Sequence, residues 1–127
     1  MKYMHIFIIG IFFFTLSSFK VHDNQNLNDD VIEVAFNHTL TFNDIVKIKL
    51  DLSERAITLT YNRLVFDENS RLTSISFSVK CDGYGGADEA DNLTDDNSIG
   101  FFRDYTKGAK KQFGCGNIEK LRLIRSK

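Results

Sequence analysis

Alternation of apolar and polar residues in the middle of the chain constrains the fold more than any other feature. Between residues 72 and 81, apolar side chains alternate with serines and a lysine. A period of two places successive side chains on opposite faces of a β-strand. The apolar set shares one face: Ile75, Phe77, Val79 and Cys81. We therefore predict a half-buried strand that carries Cys81 into the core at its end.

Short apolar or alternating segments recur at hairpin spacing along the rest of the chain. We predict further strands over these segments: 31–36, 45–52, 56–66, 99–105 and 118–125. A phase change at Arg63 predicts a β-bulge, and residues 67–70 have the composition of a turn. No apolar series at helical spacing continues for three turns, so no helix is predicted. About six or seven strands at this spacing indicate an all-β fold, either an antiparallel β-sandwich or a small barrel.

The first 18 residues have the composition of a secretory signal peptide. Lys2 is followed by an apolar run from Ile6 to Phe14 and then by the small residues Ser17 and Ser18. The run is shorter than the ~20 residues that cross a bilayer, so a retained anchor is the weaker interpretation. We predict cleavage after Ser17 or Ser18 and secretion to the extracellular space. The rest would comprise a flexible arm over 19–30 and a single β-rich domain over 31–127, without an integral membrane segment.

Cys81 and Cys115 are the two cysteines of the chain, and both lie beyond the leader. An oxidising compartment favours pairing of such residues over free thiols. We therefore predict one disulfide between Cys81 and Cys115. Two buried free thiols are the alternative.

Two triplets match the acceptor pattern for N-glycosylation: Asn37-His38-Thr39 and Asn92-Leu93-Thr94. In a eukaryotic host, Asn37 and Asn92 are both candidates for a surface glycan. Asn92 is the stronger candidate because it lies in a polar segment.

Charge is nearly balanced overall. Of the 16 Lys and Arg residues only Lys2 lies in the leader, so the exported part would hold 15 against 17 Asp and Glu. This balance argues against a nucleic-acid-binding protein, which needs a basic surface to neutralise phosphates.

Acidic residues concentrate in residues 82–96, within a glycine- and acid-rich segment, 82–98, that we predict to be a loop. Ca²⁺ takes about six to eight oxygen ligands, and carboxylates supply them readily. The candidate ligands are Asp88, Glu89, Asp91, Asp95 and Asp96. Their spacing differs from that of an EF-hand, so we favour a disordered acidic loop, with a Ca²⁺ site as the alternative.

Basic residues concentrate in residues 103–127. A basic patch there would suit glycosaminoglycan, anionic lipid or another acidic partner. The candidates are Lys107, Lys110, Lys111, Arg125 and Lys127. A solvated strand face is the alternative, because basic and apolar residues alternate from Lys120 to Leu123.

Residues suited to catalysis are few. His22 and His38 are the histidines beyond the leader, and we interpret both as ordinary surface residues because no nucleophile motif accompanies them. The acidic loop lacks the apolar setting that would raise the pKa of a glycosidase acid. We favour an extracellular binding module for a protein, a glycan or a small ligand, with Ca²⁺ as the one candidate cofactor. The alternatives are a secreted effector or venom component acting on another organism, and a small hydrolase that uses the acidic loop.

Three segments of the C-terminal half carry a family resemblance: Leu72-Thr73-Ser74-Ile75, Asp82-Gly83-Tyr84-Gly85-Gly86-Ala87, and Gly114-Cys115-Gly116-Asn117-Ile118 ahead of Leu121-Arg122-Leu123. Together they resemble the small secreted insect proteins of the multiprotein bridging factor 2 family. The resemblance implies a short, β-rich protein made with a signal peptide, and it assigns no functional residue. The chain differs from the family in its cysteine pair and in having Asp95-Asp96-Asn97 where a second glycine cluster would stand.

Overall fold

The computed structural model describes residues 25–27 and 30–126, which form seven strands and two helices. In chain order the elements are β1 (Gln25–Leu27), β2 (Val31–Phe36), α1 (Phe42–Ser53), β3 (Thr58–Phe66), β4 (Leu72–Cys81), β5 (Tyr84–Ala90), β6 (Ile99–Asp104), β7 (Phe113–Asn117) and α2 (Ile118–Ser126). The strands predicted over 31–36 and 72–81 are confirmed with the same bounds. Those predicted over 56–66 and 99–105 are confirmed with bounds shifted by one or two residues.

The strands form two antiparallel sheets. One sheet has the strand order β1-β2-β6-β7, and the other has the order β3-β4-β5. The pairing of β3 with β4 shifts between Tyr61 and Arg63, which confirms the predicted bulge. The mostly β, antiparallel fold is therefore confirmed, and in the described part of the chain the sheets do not close into a barrel.

One apolar core lies between the two sheets, with α1 packed against it. Phe36 and Phe101 come from the four-stranded sheet, and Phe77 comes from the three-stranded sheet. The ring centroids of Phe77 lie 5.1 Å from Phe36 and 6.4 Å from Phe101. All three rings are fully buried, so this aromatic cluster joins the sheets.

The prediction of a strand over 45–52 is wrong, because these residues belong to α1. The Thr41 side chain accepts a hydrogen bond from the backbone nitrogen of Asp44, whose carboxylate accepts one from the backbone nitrogen of Thr41. This capping box starts the helix. The buried residues of α1 are Ile45, Ile48 and Leu52. Their spacing places them on one face of a helix. The apolar residues of this segment therefore fit both a strand and a helix, and packing against the core favours the helix.

The segment 118–125, predicted as a closing strand, forms α2 instead. Ile118 and Leu121 pack with Ala35 and Phe102 on the outer face of the four-stranded sheet. Basic and apolar residues alternate in this segment, which led to the prediction of a strand. A helix needs apolar residues on one side only, and Ile118 and Leu121 supply them. Within residues 30–126, neither helix has the length and apolar character needed to cross a membrane.

Glu33 attaches α2 to this sheet through charge. Its side chain is 8% exposed, and its carboxylate lies 2.6 Å from Nη2 of Arg122 and 2.7 Å from Nη2 of Arg125. Arg125 also lies over the ring of Phe102, 4.7 Å from its centroid. A buried carboxylate is strongly unfavourable unless paired, so Glu33 requires the two arginines of α2.

Two further segments differ from their predictions. Residues 84–90, assigned to the acidic loop, form β5, and residues 25–27, assigned to the flexible arm, form β1 beside β2. The glycines and charged residues of β5 have low strand propensity, so the sequence did not predict this strand. It forms because its backbone is hydrogen-bonded to the backbone of β4, which does not depend on the side chains.

Gly100 on β6 permits the close approach of β2. A Cβ at this position would overlap the carbonyl oxygen of Val34.

We expect Gly100→Ala to lower the free energy of unfolding by at least ~2 kcal/mol, because backbone atoms must move. Gly85→Ala is the matched control, since its Cβ would lie 3.4 Å from the Val79 carbonyl oxygen in ordinary contact. Urea unfolding followed by circular dichroism measures both, and equal stability would contradict this account of the β2–β6 contact.

Candidate binding cleft

Arg103 organises the polar end of the layer between the two sheets. It lies near the end of β6, on the same face as Phe101, and is 7% exposed. Its guanidinium carbon lies 4.7 Å from the ring centroid of Tyr84 and 4.2 Å from that of Tyr105. Both distances suit cation–π contacts, so one buried cation positions two tyrosine rings.

Hydrogen bonds hold the Arg103 guanidinium in place. Nη1 donates to the backbone oxygens of Asp104 and Gln112 at 3.0 and 3.2 Å, and Nη2 donates to Oδ2 of Asp82 at 3.1 Å. Tyr84 is held in turn, because its hydroxyl donates to the Gln112 side chain and its ring stacks on Phe113. These contacts connect Arg103, Tyr84 and Tyr105 without the help of a ligand.

Two cavities adjoin beside this cluster. The first, of about 350 Å³, is lined by Ile32, Arg55, Ala56, Asp82 and Tyr105. The second, of about 480 Å³, is lined by Ala56, Thr58, Lys80, Cys81, Asp82, Gly83, Tyr84 and Gly85. Ala56 and Asp82 line both, and we call the combined space the Asp82 cleft. Both volumes lie within the range of small-molecule sites.

The two residues shared by the cavities lie in tight turns. Ala56 follows α1 and has a φ of 63°, and Asp82 turns β4 into β5 with a φ of 51°. Residues other than glycine seldom adopt this left-handed conformation, and alanine has no polar side chain to stabilise it. Such positions concentrate at binding sites, where the surrounding structure maintains them.

The predicted disulfide is absent, and Cys81 and Cys115 are both free thiols. On the β4–β5 ladder, Cys81 is the partner of Tyr84, and Val79 is the partner of Gly86. Cys115 on β7 packs beside Gly86. The cysteines are therefore two positions apart along the strands, roughly 7 Å at the rise of a β-strand. A disulfide needs Cβ atoms about 4 Å apart, so the strand register prevents the bond.

The acidic residues predicted to bind Ca²⁺ do not converge. Asp88 and Glu89 are successive residues of β5 and point to opposite faces, while Asp91, Asp95 and Asp96 lie in the β5–β6 connection. Asp91 pairs with Arg63 and Asp95 pairs with His38, each at 3.2 Å. Among residues 30–126, no three acidic, histidine or cysteine side chains form a group that could hold a metal ion.

The candidate basic patch divides into separate places. Lys107, Lys110 and Lys111 are exposed in the β6–β7 connection, and Lys127 lies outside the described residues. Arg125 is bound to Glu33 and attaches α2 to the sheet. Its role is therefore structural.

The two glycosylation candidates have different surroundings. Asn37 is 7% exposed, and its Nδ2 donates to the Ser98 hydroxyl at 3.3 Å while its Oδ1 accepts from Thr39. A glycan on Nδ2 would disrupt this arrangement. Asn92 is exposed in the β5–β6 connection and stays a predicted acceptor.

Reasoning from the sequence missed the residues that form the cleft wall: Arg103, Tyr84 and Tyr105. They belong to separate segments that the two sheets bring together. The sequence held one indication of this cluster. Arg103 follows directly on the apolar segment 99–102, and a charged residue beside a buried segment needs polar partners.

Comparison of the chain with protein-family models, curated proteins and solved structures found no match.

We expect both thiols to be unreactive in the native protein. Burial raises the pKa of Cys115 to about 11 and raises that of Cys81, so little thiolate forms at neutral pH. Iodoacetamide at pH 8 should label both cysteines when urea unfolds the chain and label neither at a comparable rate without urea. Mass spectrometry of the unreduced protein provides the reading. A disulfide-linked peptide, or rapid labelling of native Cys115, would contradict the structure.

Proposed function

We propose that this protein is a secreted binding module whose Asp82 cleft holds a small polar ligand, such as one sugar unit of a glycan. The signal-peptide composition of residues 1–18, which lie outside the described part, supports export. The resemblance of residues 72–123 to small secreted proteins supports it as well. The observation that carries the binding proposal is the adjoining pair of cavities that share Asp82 beside the Arg103–tyrosine cluster.

The lining of the cleft suits a ligand with several hydroxyl groups. Asp82 accepts hydrogen bonds, Lys80 donates them, and Thr58 can do both. The Tyr105 ring lines the first cavity and is 39% exposed, so it offers an apolar face with a polar tip. Sugars combine hydroxyl groups with an apolar ring face, which matches this mixture.

The contacts within the wall favour binding without large rearrangement. Arg103 is fixed by its two ring contacts and by hydrogen bonds to Asp82 and two backbone oxygens. A site that is ordered before binding loses less conformational entropy when the ligand arrives. The cleft therefore can hold a small ligand through a few polar contacts.

Binding suits the geometry better than glycoside hydrolysis. Within the described lining of the cleft, Asp82 is the single carboxylate, whereas glycosidases generally use two carboxyl groups that flank the scissile bond. Asp82 is also engaged by Arg103, whose Nη2 lies 3.1 Å from its Oδ2.

A saccharide titration followed by two-dimensional amide NMR tests the proposal. A panel of neutral mono- and disaccharides at millimolar concentration should shift the amide signals of Ala56, Asp82 and Tyr105. Asp82→Asn keeps the side-chain shape and its contact with Arg103 but removes the negative charge. We expect this variant to weaken binding by about tenfold, since hydrogen bonds to charged groups contribute about 1.5–3 kcal/mol.

Asp96→Asn is the matched control, because it makes the same chemical change on an exposed residue of the β5–β6 connection. It should leave the saccharide affinity unchanged. Shifts that map away from the cleft, or equal affinity in Asp82→Asn and the unaltered protein, would contradict the assignment of this site.

A further inference from the structure

His38 lies between two carboxylates at the end of the sheets opposite the Asp82 cleft. Its Nε2 is 2.7 Å from Oδ2 of Asp67, and its Nδ1 is 3.2 Å from Oδ1 of Asp95. His38 follows β2, Asp67 follows β3, and Asp95 lies in the connection from β5 to β6. One imidazole ring therefore links the four-stranded sheet, the three-stranded sheet and the segment that joins them. His38 is 30% exposed, so it lies at the surface as predicted, and it has two carboxylate partners that the sequence did not predict.

The positions of the carboxylates favour the protonated state of the ring. A neutral imidazole has one N–H donor and one lone pair, whereas an imidazolium ion has two donors. Both ring nitrogens face carboxylate oxygens, which can only accept when they are ionised. Only the protonated ring satisfies both contacts, and loss of its proton would turn a nitrogen lone pair toward a carboxylate.

We propose that His38, Asp67 and Asp95 form a pH-sensitive clamp that holds the β5–β6 connection while the imidazole is protonated and releases it when the proton is lost. This device is independent of the ligand-binding proposal, because it lies at the other end of the sheets and shares no residue with the cleft.

The clamped connection covers an end of the apolar core. Leu93 is 6% exposed and belongs to the core between the sheets, and its amide donates to the Thr73 carbonyl at 2.9 Å. The amide of His38 donates to the Thr94 carbonyl at 3.2 Å. Release of Asp95 removes a side-chain contact beside these two backbone bonds, so the connection that carries Asn92 should open more often.

Two titrations define the pH range in which the clamp holds. The hydrogen bond to Asp67 is the main cause that raises the pKa of His38 above 6.5, with a further contribution from Asp95 and opposition from desolvation. The hydrogen bond to His38 is the main cause that lowers the pKa of Asp67 below 3.8. Among residues 30–126, Asp67 and Asp95 are the charged side chains that act on the His38 ring. The contribution of His38 to the stability of the clamp is complete below pH 6.5 and is lost as pH rises through its higher folded pKa. The contribution of Asp67 is complete above pH 3.8 and is lost as pH falls through its lower folded pKa.

Hydrogen exchange and an NMR titration of the full chain test the clamp. The exchange rate of the Leu93 amide is divided by the intrinsic rate of an unstructured peptide at the same pH, because the ratio cancels base catalysis. As pH rises through the His38 pKa, this ratio should increase by about tenfold for each unit by which that pKa exceeds 6.5. The His38 ring resonances should titrate above pH 6.5.

Two variants separate the clamp from a merely structural contact. His38→Gln keeps hydrogen-bonding capacity without titrating, so its exchange ratio should not change over the same pH range. Asp95→Asn should lower the pKa of His38, and Asp96→Asn, the neighbouring control, should leave it unchanged. A His38 pKa at or below 6.5, or the same pH dependence of the ratio in His38→Gln and the unaltered protein, would overturn the proposal.

Discussion

The burial of β2 on both faces is the constraint on which the rest of the structure depends. Ile32, Val34 and Phe36 enter the core between the sheets, while Glu33 and Ala35 face α2 on the other side. A strand covered on both faces must have a layer on each side. The three-stranded sheet supplies one layer and α2 supplies the other. The tight contact of β2 with Gly100 then holds β6 in place between the same two layers.

Two buried charges show how this layering was completed. Glu33 lies on the outer face of β2 and is neutralised by Arg122 and Arg125 of α2. Arg103 lies at the end of the inner layer and is enclosed by Tyr84, Tyr105 and Asp82. Each charge requires specific partners because an unpaired buried ion is strongly unfavourable. The pairing of Glu33 positions a helix, and the pairing of Arg103 shapes a cleft.

Within the layer between the sheets, the polar side-chain clusters lie at the two ends because the middle of that layer is apolar. The Asp82 cleft lies at one end and the His38 clamp lies at the other. Neither could be read from the sequence, since His38, Asp67 and Asp95 span 57 positions and only the strand order brings them together. The same holds for the cysteines, because the bond predicted from an expected export is prevented by the β4–β5 register. The capping box at Thr41 was a local signal for α1 that the apolar alternation obscured.

By itself the sequence determined that β2, β4 and β6 are strands, together with the turn and the bulge that accompany β3, because apolar alternation and turn chemistry act between near neighbours. Only the tertiary structure decided that 45–52 and 118–125 are helices, since each has apolar residues compatible with either period and packing chose between them. It also decided which charges meet, because contacts between distant residues follow from strand order and register. Local patterns carry no record of that order.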